Sequence, residues 1–307
     1  MGRGIGQSFA TGGHSVTLVD IDQQILKQAL SEVKKSLKRM KDRGLLDEAP
    51  RAILGRISAE LDLKRAVSKA GFVEEAITEN LDAKKQLFAR LDEFSNPDCI
   101  LGTNTSSLPV TSIAESTEIP ERVVGVHFWN PPQLMQAVEV VRGEKTSADT
   151  VKRTVSILKG IGRKPAVVQK DVPGQIGIRI LYAMIREATW LVENGIATPE
   201  DVDTVVKEAL GTRLEILGPL ELADLSGVDL VDAVAKSLYK SLDSSQAPHK
   251  LIEDKIARGE VGIRTGKGFY DWNIGDGGRN PQKTIKLRDD HLIKILKERL
   301  PKKRHLS

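Results

Sequence analysis

Apolar residues recur with two alternating periods along the first half of the chain and with one along the second. Ser15-Val-Thr-Leu-Val-Asp20 follows a Gly12-Gly13 turn and reads as a short buried strand. Gly71 to Ile77, Cys99 to Gly102, Arg122 to Phe128, Val138 to Val141 and Pro165 to Gln169 read the same way. Between them, helical spacing runs from Gln23 to about Met40, from Pro50 to about Ala70, from Leu81 to Glu93 and from Ser147 to about Gly162. Strands alternating with helices predict right-handed crossovers, a parallel sheet and a ligand crevice at the strands' C-terminal ends. After Asp171-Val-Pro173-Gly174 the strand signal stops. Ile176 to Gly195, Pro199 to Leu210, Leu230 to Leu242 and a basic stretch from Lys286 to Leu300 all carry helical spacing. The pattern predicts an α/β domain over residues 1–172 and an all-α domain over residues 173–307.

One stretch carries the chemistry. The apolar strand ending in His127 is followed by Asn130-Pro131-Pro132 and by a second apolar strand bearing a single carboxylate, Glu139. The spacing of twelve positions suffices for a strand, a turn and a return. A carboxylate beside an imidazole fixes its tautomer and raises its basicity, as a general base requires. The plainer alternative is a core histidine with a solvated edge glutamate. Glu79, Ser106 and Asn130 also fall just beyond predicted strand ends, so four polar groups converge on one crevice.

The N-terminal pattern adds a cofactor. Met1-Gly2-Arg-Gly4-Ile-Gly6 opens a helix with small residues where a backbone must come close to something, and Asp20 ends the next strand about twenty residues on. A Rossmann-type doubly wound domain places there the acid that binds both hydroxyls of the adenosine ribose, which favours NAD over NADP. Strand-terminal aspartates are also common in plain turns, and such glycine patterns are weak alone.

Composition narrows the class. At 307 residues, 40% hydrophobic and 29% charged, the chain has the make-up of a soluble two-domain protein, and no apolar run is long enough to span a membrane. Cys99 stands alone, so disulfides are not expected and a reducing cytosolic setting is. The five histidines show no ligand spacing, so no metal is expected. The net charge of +4 is uneven: residues 27–65 hold 11 Lys/Arg against 6 Asp/Glu, and residues 282–307 hold 9 against 3. No aromatic residues interleave with these basic ones, which argues against nucleic acid.

Several stretches, in this order, resemble the L-3-hydroxyacyl-CoA dehydrogenase family: Met1-Gly2-Arg-Gly-Ile, Leu18-Val-Asp20, Glu75-Ala-Ile-Thr-Glu79-Asn80, Asn104-Thr-Ser-Ser-Leu108, Val126-His-Phe-Trp-Asn-Pro131, Asp171-Val-Pro-Gly174, Gly218-Pro-Leu-Glu221 and Thr265-Gly-Lys-Gly-Phe-Tyr270. The resemblance, close to 3-hydroxybutyryl-CoA dehydrogenases, covers nearly the whole chain. It implies that His127 takes the proton from a substrate 3-hydroxyl as hydride leaves for NAD, with Glu139 orienting it. It also implies that Ser106 bonds the substrate oxygen, that Asn130 helps hold substrate and nicotinamide, and that Glu79 and Lys84 sit near the nicotinamide end. Gly2 is the third glycine of the family's phosphate motif, the one that serves helix packing, and Asp20 would bind the ribose. A homodimer through residues 173–307 follows from the same resemblance.

The chain departs from the family in three places. Ile178 stands where the family carries an asparagine that reaches the substrate, and Gln175, three residues earlier on the same helical face, is expected to supply the amide instead. The run Gly211-Thr-Arg213-Leu-Glu-Ile-Leu-Gly218 is longer and resembles the sister branch of gulonate and carnitine dehydrogenases and lambda-crystallin, as does the helix around Arg288-Asp289. The family also carries an apolar strand and a glycine-rich turn ahead of Arg3. A central strand is costly to omit, so the natural protein is expected to begin about 10–15 residues upstream of an internal methionine, and the chain as written to bind NAD poorly or fold marginally.

Three functions stay open at this stage. The first is an acyl-CoA dehydrogenase whose basic arm at residues 27–65, including Lys34 and Lys38, meets the phosphates of CoA. The second performs the same chemistry on a free 3-hydroxy acid, with Arg213 as the carboxylate clamp. The third is a non-catalytic scaffold.

Overall fold

The computed structural model describes residues 1–274 and 277–299. The chain divides into two compact units, residues 1–178 with the C-terminal stretch from Lys286, and Arg179–Ile285.

In the first unit, helix α1 (Gly2–Thr11) leads into strand β1 (Val16–Val19) and the long helix α2 (Gln23–Asp42). Then come α3 (Pro50–Leu54), β2 (Ile57–Glu60), α4 (Leu63–Val67), β3 (Phe72–Glu75), α5 (Leu81–Phe94), β4 (Ile100–Thr103) and α6 (Val110–Ala114). Strands β5 (Val123–Phe128) and β6 (Ala137–Val141), helix α7 (Ala148–Gly160) and β7 (Lys164–Val168) complete it. Side chains stop and start these helices where the sequence offers them. Asp22 caps α2 by accepting from the Gln24 amide, Asn80 caps α5 through the Ala83 amide, and Ser147 caps α7 through the Thr150 amide.

The strands form two sheets. One is the parallel pair β1-β2; the other has the order β3-β4-β5-β6-β7 and is parallel except between β5 and β6. The hairpin-like return from β5 to β6 is the one the sequence pattern anticipates, and it registers His127 directly opposite Glu139. Helix α1 lies on the edge strands of both sheets. A Cβ at Gly6 would come within 2.8 Å of Leu18, Phe9 stacks on Phe72 at 5.4 Å, and Gly2 lies beside Ala76. A Cβ at Gly2 would stand 3.8 Å from that of Ala76, an ordinary contact.

Strand β2 corrects the sequence reading, which runs helix through residues 50–70. Ile57-Ser-Ala-Glu60 pairs on one side only and buries little beyond Ile57, so four residues at a sheet edge leave no alternation to detect. Elsewhere the core is laid down on both faces of the larger sheet. Phe88, Leu91, Leu101 and Val123 pack on the α4–α6 side, and Ile5, Ile100, Val126, Val140 and Leu158 on the α1–α7 side. Arg122, at the head of β5, pairs with Asp92 at 2.7 Å with both side chains buried, tying α5 to the strand that carries His127.

The second unit is helical: α8 (Gly177–Glu193), α9 (Pro199–Val205), a π-type stretch Val206–Gly211 running into α10 (Thr212–Leu214), α11 (Pro219–Ser226), α12 (Val228–Leu238) and α13 (Lys250–Ala257). Helices α11 and α13 went unread in the sequence because each is only eight residues long. The last helix, α14 (Pro281–Arg299), returns to the first unit. Asp289 meets Arg39 at 3.4 Å, Asp290 meets Arg43 at 2.8 Å, and Ile293 is buried. Leu300, with which the sequence reading ended this helix, lies outside the described residues.

Candidate active site

Strands β3, β4 and β5 run parallel, so their C-terminal ends line one rim, and three groups of polar residues gather there. The first is the pair at the end of β5. His127 Nδ1 donates to Glu139 Oε2 at 2.7 Å, with both side chains buried. Glu139 Oε1 accepts from the backbone amides of Ile176 and Gly177 at 2.9 and 3.0 Å. Burial raises the Glu139 carboxyl, but the His127 bond and these two amides outweigh it and hold the pKa below the ordinary carboxylate value. A carboxylate only accepts, so the Nδ1 nitrogen carries the hydrogen, which in the neutral tautomer leaves the lone pair on Nε2, where a general base needs it. The Trp129 ring packs against the imidazole at 5.1 Å between centroids.

The second group lies under the ends of β3 and β4. The Lys84 ammonium is wholly buried and donates to Glu75 Oε1 and Oε2 at 2.7 and 2.9 Å, and meets Glu79 Oε2 at 3.4 Å. Glu75 also accepts from the Ile77 amide and from Thr103 Oγ1. Lys84 is buried on the inner face of α5 and reaches the rim through its contact with Glu79. Glu79 Oε1 in turn gathers Thr105 Oγ1, the Ser106 amide, the Ser107 amide and the Ser107 hydroxyl within 3.1 Å. Burial pushes the Glu79 carboxyl up, but Thr105, Lys84 and the two amides bring it down to about 2. A permanently ionised Glu79 thus shapes the loop that presents Ser106.

The third group links the strand ends. Asn104 Oδ1 accepts from the Phe128 amide at 2.8 Å, so the loop after β4 is fastened beside His127. Asn130 is exposed at the head of the following turn. Sequence reasoning gave no role to Glu75, Thr103, Asn104 or Trp129. An acid inside an apolar strand nine residues before a lysine on an apolar helix face was the signal available for Glu75.

Other predicted residues fare differently. Asp20 ends β1 half-buried, with Oδ1 accepting from the Asp22 amide at 3.1 Å, a position that suits a ribose contact. Gln175 is not on the helix: it precedes α8 with φ of 47°, so the shared helical face with Ile178 does not exist. Its side chain is nonetheless buried, and its Oε1 has no hydrogen-bond partner. Lys34 and Lys38 are exposed, and neither lines the cavity of about 350 Å³ beside α1 and α2. Arg3, Lys35, Ser36 and Arg39 do line it. Arg213 lies exposed in the second unit.

Comparison with known proteins decides the family. The 3-hydroxyacyl-CoA dehydrogenase NAD-binding domain matches residues 1–172, and the C-terminal domain of the same family matches residues 174–272. The chain belongs to the 3-hydroxyacyl-CoA dehydrogenase family. It is an NAD-dependent oxidoreductase. A probable 3-hydroxybutyryl-CoA dehydrogenase of Bacillus subtilis is 38% identical over 274 residues, covering 89% of this chain and 94% of the relative. The 5-formyl-3-hydroxy-2-methylpyridine 4-carboxylate 5-dehydrogenase of Mesorhizobium japonicum is 32% identical over 96% of this chain and 93% of the relative. Among solved structures, a 5-dehydrogenase of that pyridine carboxylic acid, described as an NAD+-dependent dismutase, superposes with a TM-score of 0.87 at 31% identity, covering 97% of this chain and 94% of its own. The (S)-3-hydroxybutyryl-CoA dehydrogenase of Ralstonia eutropha gives 0.75 at 34% identity, covering 89% and 95%. Among the described residues no helix is long and apolar enough to cross a membrane.

Proposed function

We propose that this dehydrogenase reversibly oxidises the 3-hydroxyl of an L-3-hydroxyacyl-CoA to the 3-keto group. The observation that carries the proposal is the buried His127–Glu139 pair at the end of β5. NAD, when bound, supplies the hydride acceptor. Nε2 of His127 takes the hydroxyl proton, and Glu139 stabilises the imidazolium that results. Ser106, on the loop organised by Glu79, hydrogen-bonds the substrate oxygen, and Asn130 closes the site from the turn after β5. Asp20 takes the adenosine ribose. The 36–38% identical relatives named as 3-hydroxybutyryl-CoA and hydroxyacyl-coenzyme A dehydrogenases support the thioester reading.

A second reading, the same chemistry on a free acid, is favoured by the TM-score of 0.87 with an enzyme named for a pyridine carboxylate. It is favoured too by the internal use of the basic arm. Lys35 pairs with Glu32, Arg39 and Arg43 with Asp289 and Asp290, Arg56 with Glu48 and Arg65 with Glu60. Arg213 is the clamp this reading assigns. Exposed Leu220, Leu225, Val228 and Tyr239 on and beside α11 and α12 support a homodimer through the helical unit.

Turnover of acetoacetyl-CoA and of acetoacetate, each with NADH, separates the two substrates. His127→Ala should lower kcat on the better one by at least ~10²-fold with NADH affinity retained, the typical worth of a positioned acid–base group. Glu139→Gln should also lower kcat while preserving the fold. Parent-like turnover by His127→Ala would remove the dyad from the mechanism.

A further inference from the structure

We propose that the turn from Val172 to Gly177 is a positioning device for the His127–Glu139 pair, working through its backbone. Left-handed Gln175 turns two successive amides onto Glu139, and the bare Gly177 leaves room for the Trp129 ring against His127. The inference rests on His127 being the base and asks what holds it in place.

Gln175 is the one non-glycine residue with positive φ among the described residues. A left-handed conformation brings Cβ against the carbonyl oxygen, so a side chain there is kept only where the surroundings demand the backbone geometry. Here the demand is visible. The Gln175 amide closes onto the Val172 carbonyl at 3.1 Å, and the chain leaves the turn with the Ile176 and Gly177 amides both directed at Glu139 Oε1. Successive amides converging after a left-handed residue form a small anion-binding nest. With Oε1 held by the nest and Oε2 by His127 Nδ1, the carboxylate can neither rotate nor leave the ring. His127 is the titratable group that faces it.

Gly177 serves the other wall of the imidazole. A Cβ built there would stand 2.3 Å from Trp129 Cζ2 and 2.9 Å from Cη2, so any side chain displaces the indole. The indole in turn lies 5.1 Å from the His127 ring, inclined at 56°. One short turn therefore sets both the anion behind the base and the plate beside it. The Gln175 side chain is buried, and its Oε1 meets no hydrogen-bond donor.

The test is a series at position 175 ordered by tolerance of the left-handed region: Gly and Asn, then Ala, then Val. Each variant is first checked for a cooperative melt and for NADH binding. Gln175→Val should lower kcat by roughly tenfold or more, a part of the ~10²–10⁴ that a positioned acid–base group is worth. Without the nest Glu139 is protonated at higher pH, so the acid limb of kcat/KM for alcohol oxidation should move upward. Gln175→Gly and Gln175→Asn should retain the parent's acid limb whatever they do to KM, and Gln175→Ala should fall between and serve if the valine variant does not fold. Gly177→Ala should lower kcat through Trp129. The proposal is overturned if the acid limb moves equally in the glycine and valine variants, moves in none, or follows loss of the amide rather than backbone tolerance. Failure of the dyad itself would show separately, as parent-like turnover in His127→Ala.

Discussion

Lys84→Met is the sharpest test of how the rim is built. The substitution keeps the length and apolar stem of the side chain and removes only the ammonium. In the parent that ammonium is fully buried and bonded to both oxygens of Glu75, itself fully buried, with Glu79 a third carboxylate contact at 3.4 Å. Removing one partner of a buried pair leaves an uncompensated charge and typically costs about 3–5 kcal/mol. Thr103 Oγ1 and the Ile77 amide still reach Glu75, which places the expectation near the lower end. At roughly 2–4 °C per kcal/mol for a unit of about 200 residues, the melting temperature should fall by about 6–12 °C. Differential scanning calorimetry reads this directly. Glu75→Gln combined with Lys84→Met removes both charges and should recover most of the loss, because an absent pair costs far less than a broken one. The function should follow. Glu79 is no longer held by Lys84 in either variant, so the loop bearing Ser106 should loosen and KM should rise in both. A single variant that melts within about 1 °C of the parent, or a double variant no more stable than the single, would refute the reasoning.

Two further outcomes follow from the same geometry. Glu74 lies on the opposite face of β3 with both carboxylate oxygens buried and without partners, and burial together with neighbouring Glu75 raises its pKa well above 4.5. The unfolded chain releases that proton near 4.5 while the folded chain keeps it, so stability falls as pH rises above that value. Glu74→Leu should therefore stabilise little at pH 4 and increasingly toward pH 8; equal gains at both would sink the argument. Asp20→Ala should raise the KM for NADH by about tenfold and narrow the preference over NADPH, read from the two kcat/KM values, because the ribose hydroxyls lose their acceptor. An unchanged ratio would remove Asp20 from the cofactor site.

The alternation of apolar runs and helical spacing was enough for an α/β half followed by a helical half, because parallel strands buried on both faces and amphipathic helices write their periods into the chain. The dyad was legible for the same reason. His127 and Glu139 are the only charged or titratable residues within their two apolar strands, and a turn of fixed length puts them opposite each other. Strand β2 was not legible, since a four-residue edge strand with one buried side chain carries no period. Nor were the contacts between elements distant in sequence. Whether Lys84 faces a cofactor or a buried glutamate depends on the rotation of α5 against β3, which hydrophobic spacing specifies only to within a face. That Gln175 precedes the helix, and that the amides following it close on Glu139, depends on a left-handed backbone conformation which its side chain disfavours. Local period and cap chemistry are properties of neighbouring residues. The orientation of a base, and the burial that sets a charge, arise only when segments far apart in the chain share one interior.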